Sequence, residues 1–91
     1  MKDITTSTGF RITVDEDNFD DMEFIELMAE ADNDAKELML APKAIEMTLG
    51  KEGKAALYDH VRDEKGRARA TKVIEEFKEI MELLGDGGKN S

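Results

Sequence analysis

An apolar stripe at helical spacing near the carboxyl end is the sequence feature that most restricts how this chain can fold. Apolar residues recur there at i, i+4, i+7 and i+11, at positions Val73, Phe77, Ile80 and Leu84. The opposite side, which we expect to face solvent, carries Glu75, Glu76, Glu79 and Glu82, and this is the pattern of an amphipathic helix. We predict a helix over about Ala70–Leu84, ended by Gly85. Such a helix is stable only against other elements, and in 91 residues those elements must share one small core.

The amino-terminal segment instead shows the alternation of a half-buried strand. Phe10, Ile12 and Val14 are apolar and are separated by polar residues. Thr8–Gly9 is a turn sequence that would pair this strand with a second one at Ile4–Thr6. The sequence therefore predicts a short β-hairpin before the helical part of the chain.

Capping residues and apolar spacing predict further helices between the hairpin and the last helix. Asn18 is a good N-cap, and Pro42 disfavours a helical Ala41 but suits the first turn of a new helix. The predicted helices are Phe19–Ala31, Ala35–Leu40, a helix from Pro42 that Gly50 caps, and Lys51–Arg62. We thus expect a mainly α fold of four to five short helices around one small core, with a short N-terminal β-strand or hairpin. The expected domain covers residues 1–85, and a flexible C-terminal tail follows at 86–91.

The charge of the chain is strongly acidic and unevenly distributed. The formal net charge is −9; the segment Met1–Ala41 carries 12 acids and 3 bases, whereas Pro42–Ser91 carries 10 of each. The first half would repel phosphate, so nucleic acid is not an expected partner, whereas a basic protein is compatible with this field. The chain has no cysteine and no apolar run long enough for a membrane span or a signal region. We therefore expect no membrane partner and a cytoplasmic protein.

Two residue patterns that suggest chemistry are incomplete. Asp15 and Glu26 match the first and last positions of a calcium-binding EF-hand loop, but Phe19 and Asp20 stand where a ligand and a glycine are needed. His60 is the only histidine. Its sequence neighbours point away from it on a helix, so the pattern supplies neither a nucleophile nor an orienting acid. We therefore expect neither an enzyme nor a metal or other cofactor.

Two groups of residues are candidates for binding other proteins. The first lies on the stripe of the last helix and serves either as core or as a client-binding surface: Phe77, Ile80, Met81 and Leu84. The second is a basic loop that could contact the acidic half of the same molecule or of a neighbouring copy: Arg62, Lys65, Arg67 and Arg69. Six methionines add adaptable apolar side chains, which suit either a core or a binding groove.

Four stretches, in this order along the chain, carry a resemblance to a known family. They are TSTGFRITVDEDNFDDMEFIELMAE, LYDHVRDEKGR, VIEEFKEIMELLG and the terminal GDGGKNS. Together they resemble the tail assembly chaperones of long-tailed phages and prophages of Gram-positive bacteria. That family often has a Val-Pro-like start to its last helix, where this chain has RARAT at Arg67–Thr71.

The resemblance implies a function without catalysis. Such chaperones bind the long, aggregation-prone tape-measure protein in the host cytoplasm, keep it soluble until tail-tube subunits polymerise around it, and are absent from the mature virion. The expected partners are therefore the tape-measure protein, the tail-tube protein and, weakly, further copies of the chain. Many members also have a longer form made by programmed −1 frameshifting. Gly88–Asn90 can be encoded GGA AAA AAC, which contains the slippery heptamer A AAA AAC.

Two other hypotheses stay open. The acidic first half suggests a small inhibitor that mimics nucleic acid and binds a basic protein, although the neutral second half argues against one long acidic face. A small catalytic or metal-dependent domain rests only on His60 and the incomplete acidic loop.

Overall fold

The computed structural model of the chain describes residues 1–89, with side chains as far as Gly85. Two strands, a 3-10 turn and three α-helices follow one another in this part of the chain. In order they are β1 (Lys2–Thr5), β2 (Arg11–Val14), the 3-10 turn (Glu16–Phe19), α1 (Met22–Glu30), α2 (Asp34–Val61) and α3 (Ala70–Lys89). The fold is mainly helical with a short N-terminal hairpin, as predicted, but the expected four to five helices are not confirmed.

The hairpin agrees with the alternation in the sequence. β1 and β2 pair antiparallel with Ile4 opposite Ile12. The turn between them closes when the Gly9 N–H donates to the Thr6 carbonyl at 3.0 Å. Gly9 has φ +91°, a conformation that glycine adopts without the steric cost a side chain would add. Phe10 and Val14 are buried, so the predicted apolar face of the second strand does face the core.

Helix α1 begins three residues later than predicted because a different residue caps it. The side chain of Asp21 accepts the Glu23 N–H at 2.8 Å and is the N-cap. Asn18, the predicted cap, lies in the preceding 3-10 turn and donates its side-chain amide to the Thr48 carbonyl at 3.0 Å. A tertiary contact to α2 has therefore replaced the local capping contact.

Helix α2 covers three predicted helices, and of the two predicted breaks between them only the one at Gly50 is found, as a kink. Pro42 lies inside it rather than at the start of a new helix, so the predicted break there is wrong. A proline in a helix removes one backbone hydrogen bond, but Ala41, Ala44 and Ile45 pack against the core beside it and hold the helix together. Gly50 was predicted as a cap, and its φ of 78° and ψ of 172° do interrupt the helical geometry. It makes a kink, and helical residues continue directly to Val61.

Helix α3 confirms the stripe but not its predicted end. Val73, Phe77 and Ile80 are buried against the rest of the molecule. The helix continues to Lys89, so the prediction that Gly85 ends it is wrong. One glycine costs a helix only about 1 kcal/mol and does not by itself stop it. A flexible tail was predicted at 86–91. The side chains of 86–91 and the backbone of 90–91 lie outside the part of the chain that the structure describes.

The core draws on the hairpin and on all three helices. Ile45 and Leu57 from α2 and Ile80 from α3 are fully buried at its centre. Ile4, Phe10 and Val14 cover it from the hairpin, and Phe24 and Leu27 cover it from α1. None of the helices in residues 1–89 is long and apolar enough to cross a membrane.

Candidate binding surface

Large apolar side chains outside the core are concentrated on two neighbouring helices. Among the described residues the exposed ones are Met1, Met22, Ile25, Leu38 and Met39. Four of the five lie on α1 and on the first half of α2. Single exposed apolar residues are ordinary on protein surfaces, so the question is whether any of these joins a larger apolar depression.

An apolar depression lies where α1, α2 and α3 meet. Its volume is about 40 Å³, and the side chains that line it include Met28, Leu40 and Met81. Glu37 and Lys78 stand at its edge and form an ion pair, with 3.0 Å between Oε1 and Nζ. The depression is thus apolar inside and is spanned by one pair of charges between α2 and α3.

A second apolar depression lies beside it, between α2 and the start of α3. It measures about 140 Å³, and Leu38, Pro42 and Tyr58 contribute to its walls. Ala41 and Ile74 line both depressions, so the two are adjacent and share one wall. We call the resulting apolar strip the α2/α3 groove; its defining residues are Met28, Leu38, Ala41, Pro42, Ile74 and Met81.

The two ends of the α2/α3 groove differ in charge. At one end Ala31 lines the first depression, and it lies between Glu30 and Asp32, both exposed. From 30 to 37 the chain carries four acids and one base, and that base, Lys36, pairs with Asp32 at 3.5 Å. At the other end Ala68 lines the second depression between two exposed arginines. The groove therefore runs from an acidic end to a basic end.

The structure divides the predicted stripe of the last helix. Phe77 and Ile80 are 4% and 0% exposed and belong to the core. Met81 and Leu84 are partly buried, and Met81 also lines the α2/α3 groove. Ile74 lies at the margin of the stripe and lines both depressions of the groove. The stripe is thus mainly core, with its edge at the surface.

The contribution of α2 to this surface was not predicted from the sequence. Leu38 is 49% exposed and Pro42 is exposed, and both line the groove. Pro42 was the one signal available, but it was interpreted as a helix start. Because the predicted helices broke there, Leu38 and Pro42 were not recognised as neighbours one turn apart on one helix.

The predicted basic loop is folded around a single carboxylate. The Oδ1 atom of Asp63 accepts the N–H groups of Lys65 and Arg67 at 2.9 and 3.0 Å, and its Oδ2 accepts from Arg69 Nε at 2.7 Å. The Arg67 N–H, followed by the Arg69 side chain, lowers the pKa of Asp63 below its ordinary value of 3.8. Arg62 bonds to Asp59 at 2.8 Å and to the Gly66 carbonyl at 3.0 Å.

All four predicted self-association residues are therefore in one loop and exposed. Two of them are already paired: Arg62 with Asp59 at the end of α2, and Arg69 with Asp63 of the loop. Lys65 and Arg67 contribute mainly their backbone N–H groups, and their side chains are exposed. Self-association through this loop stays a prediction, with Lys65 and Arg67 as its best candidates.

A polar clamp holds the hairpin turn on α3. Glu76 was predicted on the wet side of the helix, which is wrong, because it is 5% exposed. Its carboxylate accepts the hydroxyls of Thr6 and Thr8 at 2.9 and 2.8 Å. One turn along the helix, Glu79 accepts the N–H and the hydroxyl of Ser7. We call this set, Thr6, Ser7, Thr8, Glu76 and Glu79, the hairpin clamp.

His60 joins the edge of the hairpin clamp. It is exposed, as expected, and its Nε2 lies 2.9 Å from the Thr8 hydroxyl oxygen. The Thr8 hydrogen goes to Glu76, so the contact is satisfied when His60 carries a hydrogen on Nε2. The carboxylate thus bonds to the threonine rather than to the imidazole. This differs from a nucleophilic triad, in which the acid orients the histidine.

The acidic segment that resembled part of a calcium loop also has a structural use. Asp15 accepts the Asp17 N–H at 3.0 Å and caps the 3-10 turn. Over the part of the chain that the structure describes, no group of three or more His, Cys, Asp or Glu side chains is arranged to hold a metal ion.

Comparison with known proteins adds no assignment. No protein-family model, no curated protein and no solved structure matches this chain. Its function is therefore inferred from the groove, from the distribution of charge and from the motifs in the sequence.

Proposed function

We propose that this protein is a non-enzymatic phage tail assembly chaperone that binds the tape-measure protein and keeps it soluble in the bacterial cytoplasm until the tail tube assembles. The observation that carries the proposal is the α2/α3 groove, an apolar strip at the surface of a chain with a net charge of −9. The ordered resemblance of four sequence stretches to tail assembly chaperones supplies the identity of the client.

The groove has the two properties that such a chaperone needs. Its apolar walls can bury apolar side chains of a client, which is the main source of affinity in such contacts. Met28 and Met81 line it, and methionine adapts to side chains of different shapes. The high net charge opposes aggregation of the chaperone itself and of the complex.

The motifs that carry the resemblance also contact one another in the fold. Residues of TSTGF form the hairpin turn, and their hydroxyls bind glutamates of VIEEFKEIMELLG. LYDHVRDEKGR forms the end of α2 and the loop around Asp63, and its histidine contacts the same turn. A shared structural unit is a physical reason for these stretches to occur together, which supports the resemblance.

Co-expression with the tape-measure protein of the same gene cluster tests the proposal. We expect a tail-tube gene upstream and a very long tape-measure gene downstream. The soluble fraction of the tape-measure protein should rise in the presence of the chain. Leu38→Asp should reduce that rise, because it places a charge in the groove.

Met39→Asp is the matched control, since Met39 is 78% exposed and lines neither depression. An unchanged soluble fraction with the wild-type chain would contradict the chaperone function. Binding of a basic enzyme that heparin displaces would instead favour the inhibitor hypothesis.

A longer frameshifted form is part of the same proposal. The codons concerned encode Gly88–Asn90, at the end of the chain, where Asn90 lies outside the described residues. We expect the heptamer A AAA AAC in the gene and a −1 frame that continues well past Ser91. Synonymous recoding of Lys89 and Asn90 should abolish the longer product and leave the short one unchanged.

A further inference from the structure

We infer that the α2/α3 groove binds an amphipathic helix that carries basic residues, seated with those residues against the acidic end of the groove. This inference rests on the proposed function in one respect: the protein that supplies the helix would be the tape-measure protein. It names the chemistry of the segment that is recognised, which the proposed function leaves open.

The apolar strip fits a helix better than a strand. A strand binds by adding to a sheet edge, where free backbone N–H and C=O groups are available. The walls of the groove belong to α1, α2 and α3, whose backbone groups are largely committed within the helices. A helix that is laid in an apolar groove needs only side-chain contacts, at i, i+3, i+4 and i+7.

The charges around the groove select a basic helix. The acidic end includes Glu30, Asp32 and Asp34, all exposed, and Lys36 is the one base between 30 and 37. Of the charges on the groove wall itself, Glu37 and Lys78 neutralise each other at 3.0 Å. Lys36 pairs with Asp32 at 3.5 Å, whereas Glu30 and Asp34 have no ion-pair partner among the described residues. A basic segment would therefore meet net negative charge at this end, whereas an acidic segment would be repelled.

A second copy of the chain is a poorer fit. Its basic residues are concentrated in the loop around Asp63, where Arg62 and Arg69 are already paired and the side chains of Lys65 and Arg67 are exposed. That loop offers no exposed apolar stripe to fill the groove, because its neighbour Val73 on α3 is 6% exposed. Contact between copies through charge alone would leave the apolar strip uncovered.

Three synthetic helical peptides test the inference. They share one leucine stripe at i, i+3, i+4 and i+7 and differ only in their other positions, which carry lysine, glutamine or glutamate. Binding to the full chain is measured by fluorescence anisotropy. We expect the lysine peptide to bind about tenfold more tightly than the glutamate peptide. This preference should shrink as salt rises to about 1 M, where the Debye length is about 3 Å.

Charge variants of the protein locate the site. Glu30→Gln with Asp32→Asn should weaken the lysine peptide about fivefold and leave the glutamine peptide unchanged. The matched control is Glu52→Gln with Glu64→Gln, which removes the same two charges from exposed positions that line neither depression. Equal weakening by both double variants would show a general field rather than a site, and would overturn the inference.

The outcomes separate the inference from the proposed function. Equal affinity for all three peptides, or binding of none while the tape-measure protein is still solubilised, would overturn the inference and leave the proposed function standing. Preference for the lysine peptide without any effect on the tape-measure protein would keep the inference and reject the proposed client. Displacement of the peptide by self-association at high protein concentration would identify a second copy as the occupant.

Discussion

The two sides of α3 differ in whether their side chains find partners within the molecule. On one side Glu76 and Glu79 bond to the hairpin turn, and Glu76 is buried with its carboxylate paired. On the other side Ile74 and Met81 line an apolar groove that lies at the surface. The first side is complete within the chain and serves the fold, whereas the second side can gain free energy by burying more apolar surface and suits binding.

The comparison also explains where sequence patterns mislead. A glutamate on an amphipathic helix is ordinarily solvated, so its pattern indicates surface. In this fold three hydroxyls from the hairpin turn come within hydrogen-bond distance of two such glutamates, which no local pattern could show. Polar residues that bond to other parts of the same molecule stabilise the fold. Apolar residues at the edge of the core are candidates for binding another protein.

The largest expected effect is the loss of a core residue, and it separates the centre of the stripe from its margin. Phe77→Ala should lower the free energy of unfolding by about 3–5 kcal/mol, because Phe77 is 4% exposed and its removal leaves a cavity. Ile74→Ala should cost about 1 kcal/mol, because Ile74 is only partly buried. Urea unfolding measures both. Similar costs would mean that the groove side of α3 is as much core as its centre.

The next effect tests whether the hairpin clamp stabilises the fold. Glu76→Ala should cost about 1–3 kcal/mol, since it removes the acceptor of two hydroxyls in a buried position. Glu75→Ala is the neighbouring control. Glu75 is exposed and pairs with Lys72 at 3.6 Å, so its loss should cost less than about 0.5 kcal/mol.

If thermal melts show equal effects for these two glutamates, the clamp does not stabilise the hairpin, and the contrast between the two sides of α3 fails. Thr8→Val is a second measure of the same contact, because it removes a hydroxyl and leaves the glutamate in place. It should cost less than Glu76→Ala, since the Thr6 bond survives.

A smaller effect is expected for weak self-association between the acidic half and the basic loop. We expect multimers in light scattering at low salt that dissociate as salt rises. Lys65→Glu with Arg67→Glu should reduce them most, because these exposed side chains are the available bases of the loop. Lys51→Glu with Lys72→Glu changes the same net charge outside the loop and should have less effect. A monomer at every concentration and salt would end this prediction.

The elements that local chemistry dictates were predicted from sequence, and those that tertiary contacts decide were not. Alternation at Phe10, Ile12 and Val14 and the turn glycine were sufficient for the hairpin. The helix through Pro42 was missed because packing of Ala44 and Ile45 outweighs the local cost of proline.

The candidate site was predicted only in part for the same reason. An apolar stripe on α3 predicts that one face of the helix is buried. Which of its residues remain partly exposed depends on how α1 and α2 pack against that face. Met81 was among the predicted residues and lines the groove. Leu38 was not predicted, because it was assigned to a short helix that ended before Pro42.

The smallest expected effect is a dependence of stability on pH that comes from Asp63 in the basic loop. The Arg67 N–H and then the Arg69 side chain lower the folded-state pKa of Asp63 below its ordinary value of 3.8. A carboxyl group with a lowered folded pKa contributes stability that is present above its unfolded pKa and is lost as pH falls through the folded pKa. Asp63→Asn should therefore be less stable than the wild type at neutral pH, and the difference should shrink as pH falls below 3.8 and through the lowered folded-state pKa. Glu64→Gln, the exposed neighbouring acid, is the control. Thermal melts from neutral to acid pH measure the difference; if it persists unchanged at low pH, the ionised carboxylate is not what orders this loop.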